Sequence, residues 1–497
     1  MAQLAARDRL AGNETTAEGW TVRRLTQPSR LHGANGLRTG KDGRIYVAQV
    51  AGSAVSAVNP DTGAIETVSP MGGGIVGPDD LVFDDAGNLY CTEITEGRVS
   101  VLGADGSTRV VQGDMLVSNP ITWSKGRLIA GECRHGGRIM QLDLDGGAPR
   151  ILLDNAPSPN AFEVGPDGKL YFPAMSTNEI WRLDLDTGAT EVVAKDLGLP
   201  DSVKFDSNGM IVSTQVASGQ VLRIDPRTGE KTVLTDVGPG LDNCTFVGDR
   251  LFVSHITGAL FEVLGGGQAK PLVEKGLQWP LGLAVNADGS LFVADGGFLY
   301  SLVPGGSLEL LGMLFTPGFP GFSRGVAVSG PGEYVVTTAN GQVSRWRPAE
   351  QSHEVLYDGL EQGMGVALSG GAVIVADGAT GRVLSIESGN ATELASGLSQ
   401  PRGVAVTADG AILVAERDAG RVVTVSGGKA TTLVDGLGKP EGIAVAGGKL
   451  YIVDCGTKEL VEHDLTSGAR RTLASGLPVG APQGVVTPAL RSFMPLC

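Results

Sequence analysis

The sequence predicts an all-β protein built as a β-propeller of about twelve four-stranded blades. Three observations lead there: a motif that returns about every forty residues, tight Gly-containing turns inside each copy, and the lack of any long stretch with apolar residues at helical spacing. A copy reads turn, apolar strand, Asp/Asn-Gly type turn, apolar strand, as in PDDLVFDDAGNLYCTE, PNAFEVGPDGKLYFPA, PDSVKFDSNGMIVST and PRGVAVTADGAILVAE. The turns Asp42-Gly43, Asp167-Gly168, Asp288-Gly289 and Asp409-Gly410 join the first two strands, because Gly accepts the positive φ that a two-residue hairpin demands. Two further strands follow, as in EIWRLDLDTGATEVVA with its turn at Asp186-Thr187-Gly188, and complete one blade.

The residue just before the first strand of each copy recurs at Asn35, Asp79, Asn119, Asn160, Asp201, Asp242, Leu281, Arg324, Met364, Arg402, Glu441 and Gln483. Propeller rings usually hold about four to eight blades, so two six-bladed rings meeting near Gln278-Trp279-Pro280 are preferred to a single ring of twelve. The predicted division is a tail at 1–19, a first propeller at 20–277 and a second at 278–497. The twelfth copy has only fourteen residues after Gln483, whereas Trp20 to Leu25 (WTVRRL) reads as an orphan outer strand. Joining the two pieces would close the last blade.

Composition narrows the function classes. Gly is 75 of 497 residues, which is punctuation-rich β composition rather than disorder. The formal charge of 39 − 54 = −15 opposes binding to a phosphate backbone or anionic lipid, so the reading expects no nucleic acid and no membrane partner. No apolar run is long enough to span a bilayer, and the first twenty residues carry Arg7, Asp8, Arg9 and Glu14 instead of a signal h-region. Five dispersed cysteines without CxxC spacing argue against a disulfide frame or zinc site and point to the reducing cytoplasm. Gly72, Gly74 and Gly77 satisfy GxGxxG, but Pro78 and a strand follow, so no helix N-terminus faces a phosphate.

Equivalent positions of all blades converge at the mouth of a propeller's channel, which makes their composition informative. In the first half all six are carboxylate or carboxamide (Asn35, Asp79, Asn119, Asn160, Asp201, Asp242); in the second half Leu281, Arg324, Met364, Arg402, Glu441 and Gln483 are mixed. Asn and Asp are good turn residues, yet the same turns in the second half do not use them. Six oxygen donors aimed at one axis suit a hard divalent cation, most simply Ca2+. A second convergent position, at the end of the second strand, reads Gln49, Glu93, Glu132, Ala174, Thr214 and His255 in the first half, and Asp295, Thr338, Asp377, Glu416 and Asp454 in the second. His255 is the one histidine in that layer, with His135 and His32 on loops of the same face. His353 and His463 are expected on exposed outer strands.

At these residues the first half resembles the calcium-dependent six-bladed propellers, which include the gluconolactonase, senescence-marker and luciferin-regenerating proteins, the paraoxonases and diisopropylfluorophosphatase. The blade repeat is also similar to NHL repeats along the whole chain. The resemblance implies a cation held by Asp201, Asn160 and Asn119, with Asn35 where the family has Glu. A register one blade later is also open: GLDNCTFVGDRLFVSH resembles the paraoxonase Asp-Asn strand and its following His, which would give Asp242 and Asn243 to the metal, Asp79 to the Glu place and His255 to catalysis.

The function expected is metal-dependent hydrolysis of a lactone, an ester or a related activated carbonyl such as a cyclic diketone. The cation would polarise the carbonyl, and His255, Glu93, Glu132 or His135 would serve as base. A non-catalytic NHL-like binding scaffold and a propeller lyase or synthase are the rivals.

Overall fold

The computed structural model describes residues 14–479 apart from 287, 304 and 305, so Gln483 and the rest of the twelfth copy lie outside the described residues. Within that span the protein is a β-propeller. The described residues contain eleven antiparallel sheets and no α-helix, only the 3₁₀ turns Met175–Thr177 and Pro348–Glu350. Each sheet takes its four strands in sequence order, and the last gains a fifth.

The described residues form two compact units: 29–278, and Trp279 onward together with the residues up to Pro28. The first unit holds blades 1 to 6 (34–69, 78–112, 118–157, 163–194, 204–236 and 241–273); the second holds blades 7 to 11 (282–313, 323–358, 363–395, 401–434 and 440–475). The hairpins form as the turn residues require. In blade 4, Gly168 adopts φ 78° while the Asp167 carboxylate accepts from the Lys169 N–H at 3.1 Å.

The first unit closes on itself without exchanging a strand, since blades 1 and 6 each build all four strands locally. Side chains make the closure instead. Leu31, Leu37, Val47, Phe252, Leu260 and Val273 form one buried cluster across the join, each contributing about 1.5–3 kcal/mol on burial. Around it, Thr39 and Thr245 hydroxyls meet at 2.9 Å, Arg250 reaches Asp61 at 2.6 Å, and the Ser29 N–H donates to the Leu277 carbonyl at 3.0 Å.

The second unit is more regular. The inner strands of blades 7 to 11 all place Gly one residue after the channel position and Ala two residues later. A β-carbon at residue 325 would lie 2.4 Å from the Met364 carbonyl oxygen, so Gly there is what lets the inner strands of blades 8 and 9 approach. The inner strand of blade 7, Gly282–Val285, leaves Leu283 62% and Val285 63% exposed.

Two expectations need correction. Trp20 to Leu25 form no strand, and Trp20, Val22 and Leu25 are exposed; the N-terminal strand is Thr15–Thr16, which pairs with Arg470–Ser475 at the outer edge of blade 11. The run WTVRRL alternates as a strand should, but the twelfth copy whose blade it would complete lies outside the described residues. His463 is buried rather than exposed, because its strand Glu459–Asp464 is third of five in a sheet whose outer edge is covered.

Candidate functional site: an acidic ring in the first channel

The inner strands of the first unit bring Asn35, Asp79, Asn119, Asn160, Asp201 and Asp242 to the same register position, and the last five are buried to 9% exposure or less. A bulge sits at this position in the inner strand. The pairing register shifts between Ala34 and Leu37, Pro78 and Leu81, Ser118 and Ile121, and Leu241 and Cys244, so an extra residue there turns the side chain out of the ladder. Hydroxyls of the preceding blade clamp the ring's backbone: Thr92 donates to the Asn119 carbonyl at 2.6 Å, Ser254 to the Asn35 carbonyl at 2.6 Å, and Thr214 to the Asp242 carbonyl.

Two carboxamide–carboxylate pairs occur around the ring. Asn160 Nδ2 donates to Asp201 Oδ2 at 3.0 Å and Asn35 Nδ2 donates to Asp242 Oδ2 at 3.0 Å. Among the described residues no Lys or Arg hydrogen-bonds to Asp79, Asp201 or Asp242. Burial therefore raises the pKa of all three well above the ordinary carboxylate range, and their mutual charges add to the rise: Asp242 acts on Asp79, Asp79 on Asp201, and Asp201 on Asp242. Three desolvated acids thus lie close enough to raise one another's pKa, with no cationic hydrogen-bond partner among the described residues.

The donor set fits a hard divalent ion: it is all oxygen, part anionic and part neutral. Among the described residues no three His, Cys, Asp or Glu side chains form a ready chelate, so the carboxamides have to contribute. Asn160 Oδ1 accepts from the Ala161 N–H at 2.8 Å and Asn35 Oδ1 from the Val50 N–H at 3.3 Å, which turns each Nδ2 toward the neighbouring carboxylate.

The carboxylates of the second convergent layer hold loops. Glu93 accepts from the Val76 N–H at 2.9 Å and from Arg98 at 2.7 Å; Glu132 accepts from the Leu116 N–H at 3.0 Å and from Arg134 and Arg138. Burial works against the Glu132 charge, but Arg138 and Arg134 outweigh it and hold its pKa down. In the second unit Asp377, Glu416 and Asp454 accept from Gln362, Ser399 and Gly438 N–H in the same way. These carboxylates anchor the loop entering each blade; both Glu132 oxygens are engaged, whereas Glu93 keeps its Oε1 buried without a hydrogen-bond partner.

His255 is also engaged at both ring nitrogens, with the Pro239 carbonyl at 2.8 Å on Nε2 and Thr257 Oγ1 at 2.7 Å on Nδ1. Burial pushes its pKa down to about 4, which keeps the ring neutral near pH 7. Asn243, the second residue of the later register, turns its Oδ1 to the Cys244 N–H at 2.8 Å. His135 is exposed at the start of its strand and His32 is half-buried on a loop. The spacing Gly321-Phe322-Ser323-Arg324-Gly325 matches a nucleophile elbow, but Ser323 is buried at the head of a strand, not on a strand-to-helix turn, and its hydroxyl bonds to the Gly321 carbonyl at 3.1 Å.

Sequence reading missed the layer three residues deeper: Arg38, Val82, Thr122, Glu163, Lys204 and Thr245. Arg38 and Lys204 both reach Glu163, at 3.1 and 2.9 Å, and Arg38 stands 3.8 Å from buried Asp80. Burial opposes the Glu163 charge, yet Lys204 and Arg38 more than offset it and lower its pKa. The same register that revealed the ring would have found this layer, read three positions on.

Residues 13–259 match the model of the SMP-30/Gluconolactonase/LRE-like region, and this part of the chain belongs to that family. No curated protein sequence matches the chain. Among solved structures it is similar to a virginiamycin B lyase from Staphylococcus aureus, at 17% identity and TM-score 0.40 over 57% of this chain and 95% of that one. It is also similar to a gluconolactonase from Xanthomonas campestris, at 18% identity and TM-score 0.42 over 51% of this chain and 97% of that one. No helix among the described residues is long and apolar enough to cross a membrane.

Proposed function

We propose that the first unit is a Ca2+-dependent hydrolase of a small lactone, ester or related activated carbonyl compound, acting at the acidic ring. The observation that carries this reading is the set of three buried carboxylates without a cationic partner, in the part of the chain that belongs to a family named for a gluconolactonase.

Asp201 with Asn160 and Asn119 would hold the cation, Asp201 and Asn160 already touching on adjacent blades as Asn35 and Asp242 do. When bound, the cation supplies Lewis-acid polarisation of the carbonyl oxygen. Asp242, on the next blade, is oriented by Asn35 Nδ2 at its Oδ2 and takes the proton of the attacking water. Burial, with the Asp201 charge, raises its pKa above that of an exposed aspartate in the cation-free chain. The inner strands keep bulk water from the ring residues, five of which are nearly inaccessible. The odd, dispersed cysteines support a cytoplasmic setting.

The test is turnover of a panel of sugar lactones and aryl esters by chelator-treated protein, before and after Ca2+ is restored, with 18O-water in the assay. Ca2+-dependent hydrolysis that places one solvent oxygen in the product supports the reading. Ca2+ binding without turnover of any panel member would favour a binding scaffold, and turnover without solvent oxygen a lyase.

A further inference from the structure

Arg38 makes contacts that no other side chain of the first channel makes. From the inner strand of blade 1 its Nε donates to the Leu81 carbonyl of blade 2 at 3.0 Å and its Nη2 to the Ile121 carbonyl of blade 3 at 3.1 Å. Its Nη1 donates to Glu163 Oε2 of blade 4 at 3.1 Å, and Lys204 of blade 5 meets the same oxygen at 2.9 Å. The two basic side chains are 13% and 7% exposed.

The inner edge of a propeller blade has no further strand to pair with, so the carbonyls that face the channel need other donors. Arg38 supplies them at two strands and a charge partner at a third. Each point it holds is close to a ring residue along the chain: Leu81 and Ile121 lie two residues after Asp79 and Asn119, and Glu163 and Lys204 lie three after Asn160 and Asp201. A strand that shifts carries its ring oxygen with it, and chelation by ligands from separate strands tolerates little shift. In the second unit the matching layer is Ala284, Ala327, Ala367, Ala405 and Ala444, which can tie nothing.

We propose that Arg38 is the positioning residue of the acidic ring, a guanidinium that crosses the channel and fixes the spacing of the inner strands so that their oxygens converge on one cation. The inference rests on the reading of the ring as a cation site. It also makes a prediction of sign. Removing a buried positive charge from the channel would by electrostatics alone tighten cation binding, whereas losing the tie loosens it.

The experiment is calorimetric titration of Ca2+ into the full chain as wild type, Arg38→Met, Arg38→Lys and Glu163→Gln, each first shown by circular dichroism to keep the β spectrum. Arg38→Met should bind Ca2+ about tenfold more weakly or worse, the range set by loss of groups that orient metal ligands. Arg38→Lys should not restore it, because one ammonium cannot meet two carbonyls and a carboxylate in the geometry of a planar fork. Glu163→Gln, an isosteric change that reads the layer even if Arg38→Met does not fold, should weaken binding about threefold. Unchanged or tighter binding in Arg38→Met, full rescue by Lys, or unchanged binding in Glu163→Gln overturns the inference alone. A wild-type protein that binds no Ca2+ overturns the cation reading and this inference with it.

Discussion

Three residues into each inner strand, the first unit places Arg38, Val82, Thr122, Glu163, Lys204 and Thr245, while the described blades of the second unit place Ala every time. One residue into each strand, the second unit has only Gly, where the first has Gly36, Asp80, Pro120, Ala161, Ser202 and Asn243. Both units are built from one repeat with the same kind of turn; an inner-strand bulge recurs in blades 1, 2, 3 and 6 and in blades 8 to 11, and buried carboxylates hold loops in both. The second follows the rule that lets inner strands pack with the least side-chain volume. The first departs from it blade by blade, and the departures collect around the channel, where three acids lack counter-charge and one arginine spans the gap. Local rules broken together in one place mark a site more surely than any single residue does.

The ring positions themselves should show the largest contrast. Asp201→Ala is expected to abolish stoichiometric Ca2+ binding and lower kcat/KM on the order of 10²-fold or more, as loss of a transition-state electrostatic contact does. Arg402→Ala, at the same register in the second unit, should leave both within about twofold. Arg402 touches Met364 Sδ at 3.0 Å and Gln400 at 2.9 Å, and burial lowers its pKa, so its loss relieves an unfavourable charge instead of removing a ligand. Equal loss of Ca2+ in the two variants would show that the units had been assigned the wrong way round.

The next contrast is in stability. Leu37 of blade 1 is fully buried at the closure, and Leu283 of blade 7 occupies the same register position at 62% exposure. Leu37→Ala should cost about 2–5 kcal/mol in urea denaturation of the first unit, and Leu283→Ala less than about 0.5 kcal/mol. A large cost at Leu283 would mean that this strand is covered.

Where the units are alike, the effects should match. Glu93→Ala and Asp377→Ala each strip a loop N–H and an arginine of their buried acceptor, and the arginines are 28% and 31% exposed. Each should lose about 2–3 kcal/mol, less than the 3–5 kcal/mol of a wholly buried pair, with no change in Ca2+ affinity. A specific loss of turnover in Glu93→Ala at normal stability would return that residue to the catalytic group.

A further effect is acid-dependent. His255 is held neutral with its pKa down at about 4, below its unfolded value near 6.5, so the unfolded chain binds the extra proton between those pH values. Stability should be complete above pH 6.5 and fall by about 1.4 kcal/mol for each pH unit within the window as pH drops toward 4. Equilibrium unfolding at pH 7 and pH 5 in wild type and His255→Gln checks this: a wild-type slope no steeper than the variant's contradicts it.

The fold was legible because turn chemistry repeats: Asp-Gly at a fixed offset sets the blade, and with it which residue precedes each inner strand. That register located the ring at all six positions. It did not say what the neighbouring layer does, because Glu93 and Asp377 look alike in sequence and only the backbone N–H about sixteen residues upstream shows that both hold loops. Arg38, Glu163 and Lys204 went unread because alternation marks faces of a strand and is silent on contacts across a channel between blades 1 and 4. His255 stood out as the one histidine of its layer, yet Thr257 and the Pro239 carbonyl consume it. The Thr15–Thr16 edge strand has no periodic signal at all, since two residues cannot show a period.

The central claim is that Asp79, Asp201 and Asp242 are uncompensated until a cation arrives. Their raised pKa values mean that the folded metal-free chain binds more protons than the unfolded chain above about pH 3.9, so this part of its stability declines as pH rises. A cation reverses the penalty most fully where the acids would otherwise ionise. The direct measurement is the Ca2+-induced rise in Tm of chelator-treated protein at pH 5 and at pH 8; comparing with and without Ca2+ at one pH cancels the His255 contribution. The account predicts a rise at both values that is larger at pH 8 and is lost in Asp201→Ala. No rise at either pH, or an equal rise in that variant, would contradict it.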